Sequence, residues 1–281
     1  MNAILGMNEL VMETELSKDQ RSYLTTAQDS ADMLLQLLND ILDFSKIEAG
    51  KMELEAVPFN LRDSLTGVLK GLAVRAHTKR LELIFGVNPD VPTHLVGDPG
   101  RLRQIVLNLI GNAIKFTQQG EVELYIRAER IHGDSIWLHG SVRDTGIGIA
   151  AEKQQQIFET FTQADGSTTR QYGGTGLGLA ISTQLSELMG GSISVESQLG
   201  VGSTFQFTAR VGIAPEQEPA NAACSGRRAL AIMPCESECR HVVDQLRAWG
   251  VVATSAATEE TAQQAIENSA EPLSLVLLDY H

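Results

Sequence analysis

The stretch GDPGRLRQIVLNLIGNAIKFT, residues 97–117, decides how this chain is read. Residues 99–116 have the pattern of a strong helix. On that helix Asn108 and Asn112 are four apart and Lys115 is three further, so the three side chains share a face. Carboxamide oxygens can ligate a hard cation such as Mg²⁺, and a lysine can meet phosphate. A polar helix face with no ligand would carry the same residues, so the stretch takes its meaning from what surrounds it.

Three further motifs follow in order. Asp144-Thr-Gly146-Ile-Gly148-Ile149 ends a strand. A carboxylate there can accept a hydrogen bond from an adenine amino group, and the glycines let the backbone approach a ring closely. An Asp-Thr-Gly turn is the plainer alternative. Phe158-Glu-Thr-Phe161 can anchor a mobile polar loop or simply pack in a core. Gly173-Gly174-Thr175-Gly176-Leu177-Gly178-Leu179 opens a helix, and its N–H groups can cradle phosphate. Two other nucleotide patterns are absent. Gly50-Lys51 is followed by Met52, so there is no G-x-x-x-x-G-K-[ST], and the glycines at 174, 176 and 178 do not make G-x-G-x-x-G.

Upstream, residues 1–50 read as two helices turning near Glu15-Leu16-Ser17, with Ser17 and Gln20 as a capping box. Tyr23, Ala27, Ser30, Leu34, Leu37, Ile41 and Phe44 alternate steps of four and three, a coiled-coil seam. Two such hairpins would bury it as a four-helix bundle, which implies a homodimer. Residues 51–57 read as a strand broken by Pro58, 61–79 as a helix, LELIFGV from Leu81 as a strand, and 89–97 as a loop. Strands over 121–131 and 135–144, a short helix near Gln154, a helix over 176–189 and strands over 192–197 and 203–211 complete the pattern. The class is α+β: a sandwich with one sheet covered by helices on one face, over residues 51–212. Residues 213–226 read as a linker. Residues 227–281 alternate strand and helix like the opening of a doubly wound, flavodoxin-like α/β domain.

Composition narrows the function classes. A net charge of −13 opposes a nucleic-acid partner, which needs a basic footprint. No apolar run approaches the ~20 residues that span a bilayer, so this segment reads as cytoplasmic, with any membrane contact made through segments outside it. Cys224, Cys235 and Cys239 read as free thiols, not as a disulfide framework or a metal site.

Together the four ordered motifs resemble the catalytic domain of sensor histidine kinases, within the ATPase superfamily that also includes gyrase, heat-shock chaperones and mismatch-repair proteins. The resemblance covers residues 1 to about 212. It extends to IFETFTQAD, similar to that family's F box, and to FSKIEAGKMEL from Phe44, similar to its join between hairpin and catalytic domain. It implies ATP and Mg²⁺ as cofactors, with Asn112 on the metal, Asp144 on adenine, and Lys115 with Thr175, Gly176, Leu177, Gly178 and Leu179 at the phosphates. Gly146, Gly148, Ile149 and Phe158 would complete the nucleotide site, and Asn108, Asn112 and Lys115 the catalytic set. Residues 157–175 would form an ATP lid. The implied reaction is γ-phosphoryl transfer to a histidine on the dimerisation helix. An ATP hydrolase of the same superfamily is the rival, but it needs a carboxylate where Asn108 stands. A dimeric ATP-binding scaffold is the non-enzymatic rival.

MNAILGM at Met1 is similar to the residues just after the family's phosphoacceptor box, and none of the six histidines occupies that box. The expectation is a fragment of a longer, inner-membrane-anchored hybrid kinase. The C-terminal segment resembles a response-regulator receiver, so a response regulator or phosphotransfer domain is the implied partner. Asp279 stands where a receiver is phosphorylated. Met233 and Pro234 occupy the positions of its acidic metal-binding pair, with Glu236 and Glu238 nearby but displaced, so the receiver is expected to be degenerate.

Overall fold

The computed structural model describes residues 2–130, 133–159, 176–214, 225–267 and 272–279. Two helices, α1 (Asn2–Met12) and α2 (Lys18–Glu48), form the expected hairpin. The capping box closes at the turn: the Gln20 N–H donates to Ser17 Oγ at 3.2 Å and the Ser17 N–H to Gln20 Oε1 at 2.9 Å. Asn8 Nδ2 ties the helices together through Leu24 O and Gln28 Oε1. Along the predicted seam, Tyr23, Leu34 and Ile41 are exposed, as are Ile4, Met7 and Leu10 on α1. Phe44 instead packs with Ile47 against the core of the next domain.

That domain contains β1 (Val57–Asn60), α3 (Leu61–Thr78), β2 (Leu81–Val87), β3 (His94–Gly97), α4 (Pro99–Phe116), β4 (Gly120–Arg130) and β5 (Ser135–Asp144). Two 3₁₀ turns, Ala151–Lys153 and Gln156–Phe158, precede α5 (Gly178–Leu188), β6 (Ile193–Gln198) and β7 (Gly202–Ile213). Two expectations need correction. Pro58 does not break a strand over 51–57; it lies inside β1, paired with Val96. The strand is tolerated because β1 is the sheet edge and pairs only with β3, so the missing N–H can face outward. Residues 94–97, read as loop, are β3, whose four residues are too few to show an alternation.

The sheet runs β1-β3-β7-β5-β4-β2, with β6 also on β7. All pairs are antiparallel except β2 with β4. Period-two alternation assigns the faces. Val122, Leu124, Ile126, Ile136, Leu138 and Val142 point to the helices and are buried. Glu121, Glu123, Tyr125, His139, Ser141 and Arg143 alternate with them on the open face. Gly140 falls on the helix side, and a Cβ there would lie 2.1 Å from the Phe207 ring. Its hydrogen is what lets Phe207 fill the core.

The C-terminal unit has β8 (Arg228–Ile232), α6 (Glu236–Ala248), β9 (Val252–Ala256), α7 (Glu259–Glu267) and β10 (Leu275–Leu278), a parallel sheet in the order β10-β8-β9. Cys235 and Cys239 are free thiols. Asp279 follows β10 and donates its N–H to Ile232 O at 3.1 Å. Beside it at the end of β8 stand buried Met233 and exposed Pro234, while Glu236 and Glu238 lie in the first turn of α6. Most of the expected linker, 215–224, lies outside the described residues. Helix α6 meets the open face of the large sheet. His241 Nε2 and Glu123 Oε1 are 2.6 Å apart, and Arg143 pairs with both Glu123 and Glu121.

Phe207→Ala should cost about 3–5 kcal/mol of stability, because a large buried ring leaves a cavity. Ser17→Ala should cost only about 0.5–2 kcal/mol, confined to the hairpin. Urea unfolding followed separately by near-UV signal and by helix content checks the contrast. Glu123 supplies a pH signature. Its hydrogen bond to His241, against the opposing effect of burial and aided by Arg143, holds its pKa down at about 2. The stability it contributes is therefore complete above the ordinary glutamate value of ~4.3 and is lost as pH falls toward about 2. Acid unfolding of Glu123→Gln should lack that part of the decline.

Candidate nucleotide site

Helix α4 organises the site. Asp98 caps its start, with Oδ1 accepting from the Arg101 N–H at 3.0 Å, and Pro99 occupies the first turn. Leu102, Ile105, Val106, Leu109, Ile110, Ala113 and Ile114 are buried along one face. The face carrying Asn108, Asn112 and Lys115 is half-buried, so the shared face expected from spacing exists. At the C-terminus, Lys79 Nζ donates to Ile114 O, Lys115 O and Thr117 O at 2.7, 2.9 and 3.4 Å, complementing the negative helix end.

The first glycine motif abuts that end. The Ile147 N–H reaches Phe116 O at 3.4 Å, and a Cβ on Gly146 would come within 2.6 Å of the same oxygen. Asp144 is buried at the end of β5. Its Oδ1 accepts from the Gly146 N–H at 2.8 Å, and burial pushes its pKa up against hydrogen bonds from Gly146 and Ser203 and the charge of Arg143. Gly148 has φ +67°, and a Cβ there would strike Gln198 O at 2.0 Å, so only glycine closes this turn. Ile149 is fixed through its N–H to Ser197 Oγ at 2.7 Å. Phe158 stands edge-on to Phe205, with centroids 6.4 Å apart, and anchors the start of residues 157–175. The rest of that stretch from 160 on, Thr175 included, lies outside the described residues.

The second glycine motif meets the middle of α4. Asn108 Nδ2 donates to Ser182 Oγ at 2.8 Å, and a Cβ on Gly178 would lie 2.3 Å from Asn108 Oδ1. Asn108 thus locks α5 against α4. Gly176 has φ +71°, and Leu177, the N-cap of α5, makes no side-chain cap bond. Leu177 is buried in the core and Leu179 packs against it, so these two can offer a ligand only backbone. Asn112 Nδ2 points toward Asn108 Oδ1 at 3.5 Å, and burial lowers the Lys115 pKa. The polar face of α4 therefore connects Asp144 at one end with the start of α5 at the other.

Several supporting residues were invisible in the sequence. Thr145 Oγ1 accepts from the Glu121 N–H at 3.0 Å, and Gln154 Nε2 donates to Ile149 O and Ser197 O. Ser182, Ser197, Ser203 and Lys79 hold the motifs in place from distant positions, and nothing in local spacing marks them.

Comparison with known proteins agrees with this geometry. Residues 97–213 match the family described as histidine kinase-, DNA gyrase B- and HSP90-like ATPase, and residues 1–50 match the His kinase A phospho-acceptor domain. The signal transduction histidine-protein kinase BarA of Escherichia coli K12 is 41% identical over 249 residues, covering 88% of this chain and 27% of BarA. The sensor histidine kinase GacS of Pseudomonas protegens is 52% identical over 205 residues, 73% of this chain and 22% of GacS. The chain thus spans about a quarter of the length of these relatives. Among solved structures, full-length ShkA in complex with AMPPNP superposes with a TM-score of 0.74 at 38% identity, covering 94% of this chain and 54% of ShkA. With a hairpin that matches the phospho-acceptor domain family, followed by an ATPase domain whose motifs converge on one helix, the chain belongs to the histidine kinase family and carries its catalytic core.

Proposed function

We propose that this chain binds ATP–Mg²⁺ along the polar face of α4 and transfers the γ-phosphoryl group to a histidine on a dimerisation helix, in phosphorelay signalling. The observation that carries the reading is the buried Asp144 carboxylate held beside Gly146, at one end of a polar helix face whose other end meets the start of α5. The bound ShkA nucleotide analogue supports an ATP site in a similar fold.

Asp144 accepts the adenine amino hydrogen. The α5 N-terminus and Lys115 meet phosphate, and Asn112 offers its carboxamide oxygen to the cation. Mg²⁺, when bound, offsets the charge between the phosphates. The protein's part in such a transfer is positioning and charge stabilisation. Asn108 contributes by holding α5 at a fixed distance from Asn112. Residues 1–50 contain no histidine, so the acceptor we infer is a histidine outside them.

The exposed apolar residues of α1 and α2 support a homodimer through a four-helix bundle. The next partner in this reading is a response regulator or phosphotransfer domain, in line with similarity to a kinase named for signal transduction. No helix among the described residues is long and apolar enough to cross a membrane. We read residues 227–281 as part of a receiver that lacks its acidic pair, so that Asp279 is a poor phosphate acceptor.

Calorimetry tests the site. Asp144→Ala and Asn112→Ala should each weaken ATP–Mg²⁺ binding about ten- to a hundredfold, the loss expected for a charge-assisted hydrogen bond or a metal ligand. Wild-type affinity in both would overturn the assignment. Sedimentation tests the dimer: Ile41→Lys should shift it toward monomer, because the new ammonium would be buried without a partner.

A further inference from the structure

Helix α6 belongs to the C-terminal unit, yet one of its stripes serves the catalytic domain. Ser237, His241 and Gln245 lie four apart, on one line of the helix. Each bonds across the boundary. Ser237 Oγ accepts from Arg143 Nη2 at 3.1 Å and donates to Glu121 Oε1 at 3.1 Å. His241 pairs with Glu123 and stacks on Tyr125, with centroids 4.9 Å apart and planes 17° from parallel. Gln245 Oε1 accepts from Arg62 Nη2 at 2.7 Å. The catalytic side is shaped to match. A Cβ on Gly86 would come within 2.5 Å of the His241 ring, and Ile84, two residues back on the open face of β2, is buried. The opposite stripe of α6, Cys239, Val243 and Leu246, fills the core of its own unit.

This surface adjoins the first glycine motif. Arg143 immediately precedes Asp144. Glu121 accepts the Thr145 N–H on its carbonyl at 3.2 Å and donates its own N–H to Thr145 Oγ1. The strand ends that α6 grips are therefore the ends that present Asp144 and Thr145.

We propose that the open face of the catalytic sheet is a docking surface for the C-terminal unit, and that docking braces the adenine end of the nucleotide site and so tightens nucleotide binding. The inference rests on the ATP site argued above. By linkage, nucleotide tightens docking by the same factor.

The test uses the whole 281-residue chain, with ADP as probe. Gly86→Val places a side chain where the His241 ring lies. His241→Glu sets a carboxylate against Glu123 and leaves the catalytic domain's own sequence intact. Each should raise amide exchange in α6 and β2 and weaken ADP binding roughly five- to tenfold, at the low end of typical coupling. The double variant should bind ADP no more weakly than either single one, because both only undock. Faster exchange with unchanged ADP affinity in His241→Glu would overturn the coupling. Unchanged exchange there would overturn the docking surface. Failure of the unsubstituted chain to bind ADP would instead sink the nucleotide site itself.

Discussion

The burial of one face of α4 is the constraint on which the rest depends. Seven apolar side chains from Leu102 to Ile114 are removed from water against the sheet and the neighbouring helices. At roughly 1.5–3 kcal/mol for each large one, that burial fixes the rotation of the helix about its axis. Once the rotation is set, Asn108, Asn112 and Lys115 have no freedom to face elsewhere. The two glycine motifs then close on α4 because they lack side chains at the points of contact, Gly146 on Phe116 O and Gly178 on Asn108. The site is a by-product of packing: apolar residues decide where the polar ones stand.

Much of this was legible in the sequence because it is local. Helices over 61–78 and 99–116 announce themselves by apolar period, the capping box by two residues three apart, and the glycine motifs by composition. Pro58 misled because a proline reads as a breaker until the strand is known to be an edge. β3 was missed because four residues cannot display a period. The place of Asn108 on the polar face of α4 was legible, but its bond to Ser182 was not, since 74 positions separate them. The α6 contacts were the least accessible of all. Ser237, His241 and Gln245 look like the wet side of an amphipathic helix, and only the assembled structure supplies Glu121, Glu123 and Arg62 opposite them.

The charges at that boundary illustrate how burial and pairing compete. Burial pulls the Arg143 pKa down, but its hydrogen bonds to Glu123 and Glu121 outweigh this and the net shift is upward. The Asp144 pKa, one residue on, is also raised, but by burial against its hydrogen bonds, and for a carboxylate that shift disfavours the charged form. Adjacent residues on one strand, pointing to opposite faces, thus stand in different surroundings: one pairs with a neighbouring unit and the other is buried beside the first glycine motif.

The position of β7 has a consequence for how the chain is made. It is the last strand of the catalytic domain, yet it lies between β3 and β5 and also pairs with β6. Before Gly202–Ile213 leaves the ribosome, β1–β3 and β5–β4–β2 are two separate ribbons, each with an open edge facing the gap. Such edges are templates for the wrong partner. The domain cannot close by adding one element at a time, and its sheet forms only when its final strand arrives. Synthesis order therefore leaves two strand edges open until β7 is made, and that is the stage at which mispairing is most available to this domain.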